Sequence, residues 1–284
     1  MKATPAAAVN AAVIVAARLG VSCTEPVVLA DGANVIVQLS PSPVVAKVAA
    51  TTPAVRPDVA TWLQRELDVV LFLAGTGIPV MAPSPEVPPV VHDGEGRVMT
   101  FWTYLERSGS GLPDETMLGS MLRELHAALR SYPGTMPVLA SLGDIPAFLA
   151  RPRVTLSDAD AVGIAAAYAR LTGELAQTPS AQQVLHGDAG LGNLMHTDGG
   201  WLWHDFEDTC TGPVAWDLAA LTASPRLDGS RVVEAYRDAV DPAQLRICEQ
   251  LRLLSLTVWY ALYAERLPEC RQRAAELAAL WHIT

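Results

Sequence analysis

Lysine is almost missing from this chain. Two lysines, Lys2 and Lys47, stand against eighteen arginines, and the 20 basic side chains face 30 acidic ones for a net charge of -10. A protein that grips nucleic-acid phosphate needs a basic stripe, so that class of partner is excluded. The acidic field suits a cationic small substrate, and it serves solubility equally well. Cysteine is also scarce: Cys23, Cys210, Cys248 and Cys270 are far apart and form no C-x-x-C pair. That spacing argues against a zinc site or a disulfide framework and fits a reducing cytoplasm. The longest strongly apolar run, Leu251 to Ala264, contains Arg252 and falls short of the roughly 20 residues a membrane span requires. An alanine-rich opening, Pro5 to Arg18, lacks the basic lead and cleavage pattern of a secretory signal. No G-x-x-x-x-G-K-[ST] loop and no serine nucleophile elbow occurs, which removes the P-loop enzymes and the serine hydrolases of that type.

Against this background Lys47 stands out. It lies in Val44 to Ala49, VVAKVA, an apolar strand where any generic surface cation of this chain would have been arginine. A charge there needs a partner. The spacing predicts a helix over Asp58 to Ala74 with Glu66 on the same face as Leu63, Val70 and Leu73. Glu66 is therefore the expected partner of Lys47, with a surface pairing of Glu66 to Arg65 or Arg56 as the competing arrangement.

The densest chemistry lies in Val184 to Asp217, VLHGDAGLGNLMHTDGGWLWHDFEDTCTGPVAWD. Short strands at 184–185, 194–195 and 201–203 leave His186, Asp188, Asn193 and Asp205 at strand ends or in tight loops, where a rigid scaffold presents catalytic groups. Phosphoryl transfer needs a carboxylate to orient the attacking hydroxyl and take its proton, together with oxygen ligands for magnesium. Asp188 fits the first task, and Asn193 and Asp205 fit the second as hard oxygen donors. Turn formation by Asp, Asn and Gly accounts for any one of these residues, but less well for the ordered set. His-x-Asp-x-x-x-x-Asn followed by strand-Asp-Phe is the protein-kinase order, with Gly187 in place of arginine and Glu207 in place of the glycine after Asp-Phe.

HGDAGLGN, HDFED and GPVAWDLA together resemble the aminoglycoside phosphotransferase and choline kinase-like family of small-molecule kinases. The resemblance implies an α+β, bilobal protein-kinase-like fold with a small antiparallel N-lobe sheet and one main helix, then a larger, mainly helical C-lobe. It implies Asp188 as base, Asn193 and Asp205 as Mg2+ ligands, and Lys47 with Glu66 on the phosphates of ATP or GTP. Thr103 to Leu105 would be the hinge that binds the base. His186 would support its loop, and Asp217 would brace the site from a helix start. Glu207 could reach a second metal, recognise a cationic substrate or face solvent. The acceptor would be a hydroxyl of an aminoglycoside or other antibiotic, a sugar or an amino alcohol, with antibiotic resistance one possible role. Trp216, Trp259 and Tyr260 could cage a quaternary ammonium or be core aromatics. The alternative is a catalytically silent kinase-like binding protein.

Strand signals at 27–29, 35–39, 44–49 and 98–105, with a turn at Asp31 to Asn34, precede helices expected at 114–131, 159–175, 215–222, 229–240, 242–266 and 268–281. A strand-rich half before a helix-rich half argues for segregated α+β. The expected division is a nucleotide-binding lobe over 1–104 and a catalytic and substrate-binding lobe over 105–284.

Overall fold

A computed structural model describes residues 4–109 and 111–282. In chain order the helices are α1 (Pro5–Arg18), α2 (Val59–Thr76), α3 (Glu115–Leu129), α4 (Asp144–Leu149), α5 (Asp158–Ala176), α6 (Ala215–Thr222), α7 (Gly229–Tyr236), α8 (Pro242–Ala264) and α9 (Arg271–Ala279). The strands are β1 (Cys23–Asp31), β2 (Asn34–Pro41), β3 (Val44–Ala49), β4 (His92–Gly94), β5 (Arg97–Thr103), β6 (Gln183–Leu185), β7 (Leu194–Thr197), β8 (Gly200–Trp203) and β9 (Cys210–Gly212). They fall into two compact units, Met1–Ser110 with Leu194–Glu207, and Gly111–Asn193 with Asp208–Thr284.

The first unit is built on an antiparallel five-stranded sheet in the order β1-β2-β3-β5-β4. β3 is buried along its whole length. Val44, Ala46 and Val48 join a core with Ala8, Ala11, Ala12 and Ala16 of α1, whose small side chains let the helix lie close to the sheet. Residues of a strand alternate in face, so Val45, Lys47 and Ala49 look the other way, where Ala49 packs with Val59 and Leu63 of α2. A strand covered on both faces reads as an unbroken apolar run, which is why VVAKVA shows no polar alternation. The β7-β8 hairpin belongs to this unit although it comes late in the chain: Met81 N–H donates to Trp203 O at 2.9 Å and Trp203 N–H to Pro79 O at 3.0 Å.

In the second unit β6 and β9 pair antiparallel, Leu185 opposite Cys210. Around them α8 packs on α5, α6 and α9, and α3 on α7. The structure corrects several expected boundaries. α7 stops at Tyr236 because Arg237 takes a left-handed φ of 67°, and the expected last helix divides into a 3-10 turn at Pro268–Cys270 and α9. β4 and β9, three residues each, are too short to show a period. Among the described residues no helix is long and apolar enough to cross a membrane.

Candidate active site

The first unit supplies a buried lysine cage. Lys47 Nζ lies 3.0 and 2.8 Å from Glu66 Oε1 and Oε2, 2.6 Å from Asp205 Oδ1 and 3.1 Å from Glu207 Oε2. The expected Lys47–Glu66 pair is therefore present, and Glu66 comes from the inner face of α2 with Leu63, Val70 and Leu73. Burial alone would lower the lysine's pKa, but Asp205, Glu66 and Glu207 outweigh it and hold the ammonium well above its ordinary value. Glu207 does not face solvent. It is buried and accepts from Arg56 Nη1 at 3.0 Å and from Asn34 Nδ2 at 2.7 Å, and the Arg56 guanidinium lies 3.8 Å over the Trp62 ring. Glu66, Asp205 and Glu207 thus share two cations, Lys47 and Arg56. Burial pushes Glu66 up to about 8 against the pull of Lys47, and the neighbouring Asp205 and Glu207 charges add to the rise.

Glu66, Asp205 and Glu207 could bring one oxygen each within 4.8 Å of one another. Lys47 Nζ already bonds to all three, so this trio is a lysine cage and does not fit a further cation. Asp205 is the member of the cluster that also meets solvent: it follows β8 with a left-handed φ of 63°, and 42% of its side chain is exposed. A non-glycine residue in that region is constrained by its surroundings. At the end of β5, Thr103 N–H donates to Ala82 O at 3.1 Å and Tyr104 N–H to Pro43 O at 2.8 Å. Two main-chain donors of the expected hinge are thus engaged within the unit, and Leu105 follows them.

The second unit supplies the loop His186–Asn193. Asp217, in the first turn of α6 and fully buried, accepts from His186 N–H at 2.8 Å and Gly187 N–H at 2.9 Å and lies 2.9 Å from His126 Nε2. A carboxylate can only accept, so Nε2 bears a proton, and Nδ1 lies 2.7 Å from the Tyr236 hydroxyl. His126 is accordingly a buried strut. Asp188 N–H donates to His186 Nδ1 at 3.3 Å. Asn193 Nδ2 donates to Asp188 O at 2.7 Å and to Asp188 Oδ2 at 2.8 Å. Both amide hydrogens are thereby committed, and the Asn193 carbonyl oxygen is the group left to offer a cation. That oxygen is a hard donor of the kind magnesium takes.

Gly187 explains the missing arginine of the kinase order. Its φ is +86°, and a Cβ there would sit 1.8 Å from Asp208 O. Gly187→Ala is expected to cost at least ~2 kcal/mol, since a left-handed alanine and a backbone clash combine; a urea midpoint equal to the parent's would show that the loop can yield.

Asn34, Tyr236 and Arg252 had no expected place in these networks, and Arg56, expected only as a surface partner of Glu66, is buried on Glu207 instead. Arg252 of α8 donates from Nη1 to Gly187 O at 3.1 Å and from Nη2 to Asp188 Oδ1. Trp216 is buried, with its indole Nε1–H on Gly187 O at 2.8 Å; it is a strut of the loop and not a wall of an aromatic cage. Trp259 and Tyr260 are half-buried, each near the ring of Tyr263.

Residues 27–249 match the model of a family described as "Phosphotransferase enzyme family". No curated protein matches the chain at a significant level. Among solved structures, an amicoumacin kinase in complex with AMP-PNP, Ca2+ and Ami superposes with a TM-score of 0.70 at 15% identity, covering 95% of this chain and 92% of that one. The GDP complex of aminoglycoside 2'-phosphotransferase-IIIa gives 0.65 at 14% identity, covering 95% and 96%. Choline kinase LicA from Streptococcus pneumoniae gives 0.63 at 14% identity, covering 94% and 98%. The fold is thus the one these kinases share, as the resemblance implied.

Proposed function

We propose that this chain, which belongs to the phosphotransferase enzyme family, moves the γ-phosphate of ATP or GTP to a hydroxyl of a small molecule. The observation that carries the reading is the Asp188 loop: a carboxylate 41% exposed, tethered at both oxygens by Arg252 and Asn193, on a loop pinned from beneath by Asp217. In this reading the acceptor oxygen attacks the γ-phosphorus, the bond from phosphorus to the β,γ-bridging oxygen breaks, and the hydroxyl proton passes to Asp188. Nucleoside diphosphate leaves. Lys47, held by Glu66, contacts the nucleotide phosphates, and Thr103 to Leu105 receive the base. Asn193 and Asp205 would hold magnesium, which would neutralise charge on the phosphates. General-base assistance supplies on the order of 10²- to 10⁴-fold, and positioning with charge neutralisation supplies the rest.

The acceptor is a small hydroxylated molecule such as an aminoglycoside or other antibiotic, a sugar or an amino alcohol. The net charge of -10 supports a cationic one. If the acceptor is an antibiotic, the biological role is resistance. Nucleotide use and four unpaired cysteines support work in the cytoplasm.

The test is a magnesium-dependent nucleotide-consumption assay against aminoglycosides, other hydroxylated antibiotics, hexoses, amino sugars and amino alcohols, with Lys47→Met alongside. An acceptor-dependent rate that the variant lowers ~10²-fold or more establishes the kinase and its acceptor class. Absence of turnover with every acceptor, together with no nucleotide-induced thermal shift, overturns the reading. Nucleotide binding without turnover would leave the silent binding protein.

A further inference from the structure

The structure assigns Arg252 as a positioning residue that sets the orientation of the Asp188 carboxylate, an inference that rests on reading Asp188 as the base. Arg252 lies in the middle of α8, 64 residues from Asp188 in sequence, yet its guanidinium spans two groups of one loop: Gly187 O at 3.1 Å through Nη1 and Asp188 Oδ1 through Nη2. The guanidinium carbon lies 5.2 Å from the centroid of the Trp216 ring, within cation–π reach. Trp216 in turn bonds to the same Gly187 carbonyl, so guanidinium and indole meet on one acceptor.

The loop backbone is held without Arg252. Asp217 takes the N–H groups of His186 and Gly187, Trp216 takes the carbonyl of Gly187, and Asn193 takes the carbonyl of Asp188. What Arg252 adds is the contact to the carboxylate itself. Asn193 bonds to Oδ2, so with Arg252 on Oδ1 the group is tied at both ends and cannot rotate about its Cβ–Cγ bond. Each carboxylate oxygen accepts more than one hydrogen bond, so the acceptor hydroxyl still finds a lone pair, now in one fixed direction. The loop cannot supply such a cation from position 187, where only glycine fits. A distant helix provides it instead, and a planar fork suits two divergent acceptors in a way a lysine ammonium does not.

The test compares Arg252→Ala, Arg252→Lys and the parent. Misplacing a reacting group by about 1 Å costs on the order of 10²-fold, so Arg252→Ala is expected to lower kcat ~30- to 100-fold with KM for the nucleotide unchanged. Arg252→Lys should fall between alanine and parent. Millimolar guanidinium ion should restore part of the rate to Arg252→Ala and none to Asp188→Ala. An unchanged kcat overturns the assignment, and a raised kcat overturns it in favour of an arginine that blocks the base. A loss in which lysine is no better than alanine, accompanied by a fall in melting temperature, shows a structural role and overturns it too. Should the parent turn over no acceptor, crystal structures of parent and Arg252→Ala decide separately: a carboxylate of Asp188 that turns away in the variant sustains the brace, and one that stays fixed refutes it.

Discussion

Asp188→Ala and Asp188→Asn are both expected to lower acceptor-dependent kcat by ~10²- to 10⁴-fold, the range by which a positioned base assists proton transfer, with nucleotide affinity retained. The two variants separate chemistry from architecture. Asparagine has the shape of aspartate, so it can still meet Asn193 or Arg252, but its amide does not take a proton in the reaction. Alanine forfeits both. Nucleotide binding should persist because Lys47, proposed to contact the phosphates, is held by Glu66, Asp205 and Glu207 within the first unit. Calorimetric titration with nucleotide and steady-state kinetics on one acceptor make the comparison. If Asp188→Asn kept more than about a tenth of the parent rate, Asp188 would be a scaffold residue and not the base.

How much of this could be read from the chain depends on the distance over which each interaction acts. Lys47 and Glu66 were legible because they lie 19 residues apart on consecutive elements and because lysine is so rare that its one strand position announces a function. Asp188 and Asn193 were legible because they share a loop and their spacing is the signal. Glu207 was placed in the right stretch but left without a partner. Arg56 is 151 residues away from it and Asn34 173, and no local period links a loop arginine, a turn asparagine and the segment after a late strand. Arg252 was visible only as a polar interruption in an apolar helix. The face it occupies on α8 depends on where the loop after β6 comes to lie, and that is a property of the assembled unit. The same limit explains the grouping of Leu194–Glu207 with the first unit. β7 and β8 read as an ordinary hairpin, and only the main-chain bonds of Trp203 to residues 79 and 81 tie them to the sheet-bearing part of the chain.

Asp217→Ala is expected to be the most damaging change to stability, at ~3–5 kcal/mol, because it strips one partner from a fully buried polar network. The carboxylate holds two loop N–H groups and the Nε2 proton of His126, and all three lose their acceptor in the variant at ~1–3 kcal/mol for each buried group left unpaired. The loop that carries Asp188 loses its support at the same time, so turnover falls with stability. Asp217→Asn keeps one acceptor oxygen but turns an amide N–H₂ toward a donor, and a loss of about 2 kcal/mol follows. The pH dependence fixes the sign. Burial alone would raise the Asp217 carboxyl, but the hydrogen bond and charge of His126, with His186 and Arg252, hold it below its ordinary value of 3.8. A group whose folded pKa is depressed stabilises above its unfolded value and loses that contribution as pH falls through the folded one. The stability gap between parent and Asp217→Asn is therefore expected to be full at pH 7 and to narrow as the pH falls below 3.8. Urea midpoints of the two proteins across that range make the measurement. A gap that stayed constant with pH would mean that Asp217 supports the loop as a neutral acid, and the ionised brace beneath Asp188 would have to be abandoned.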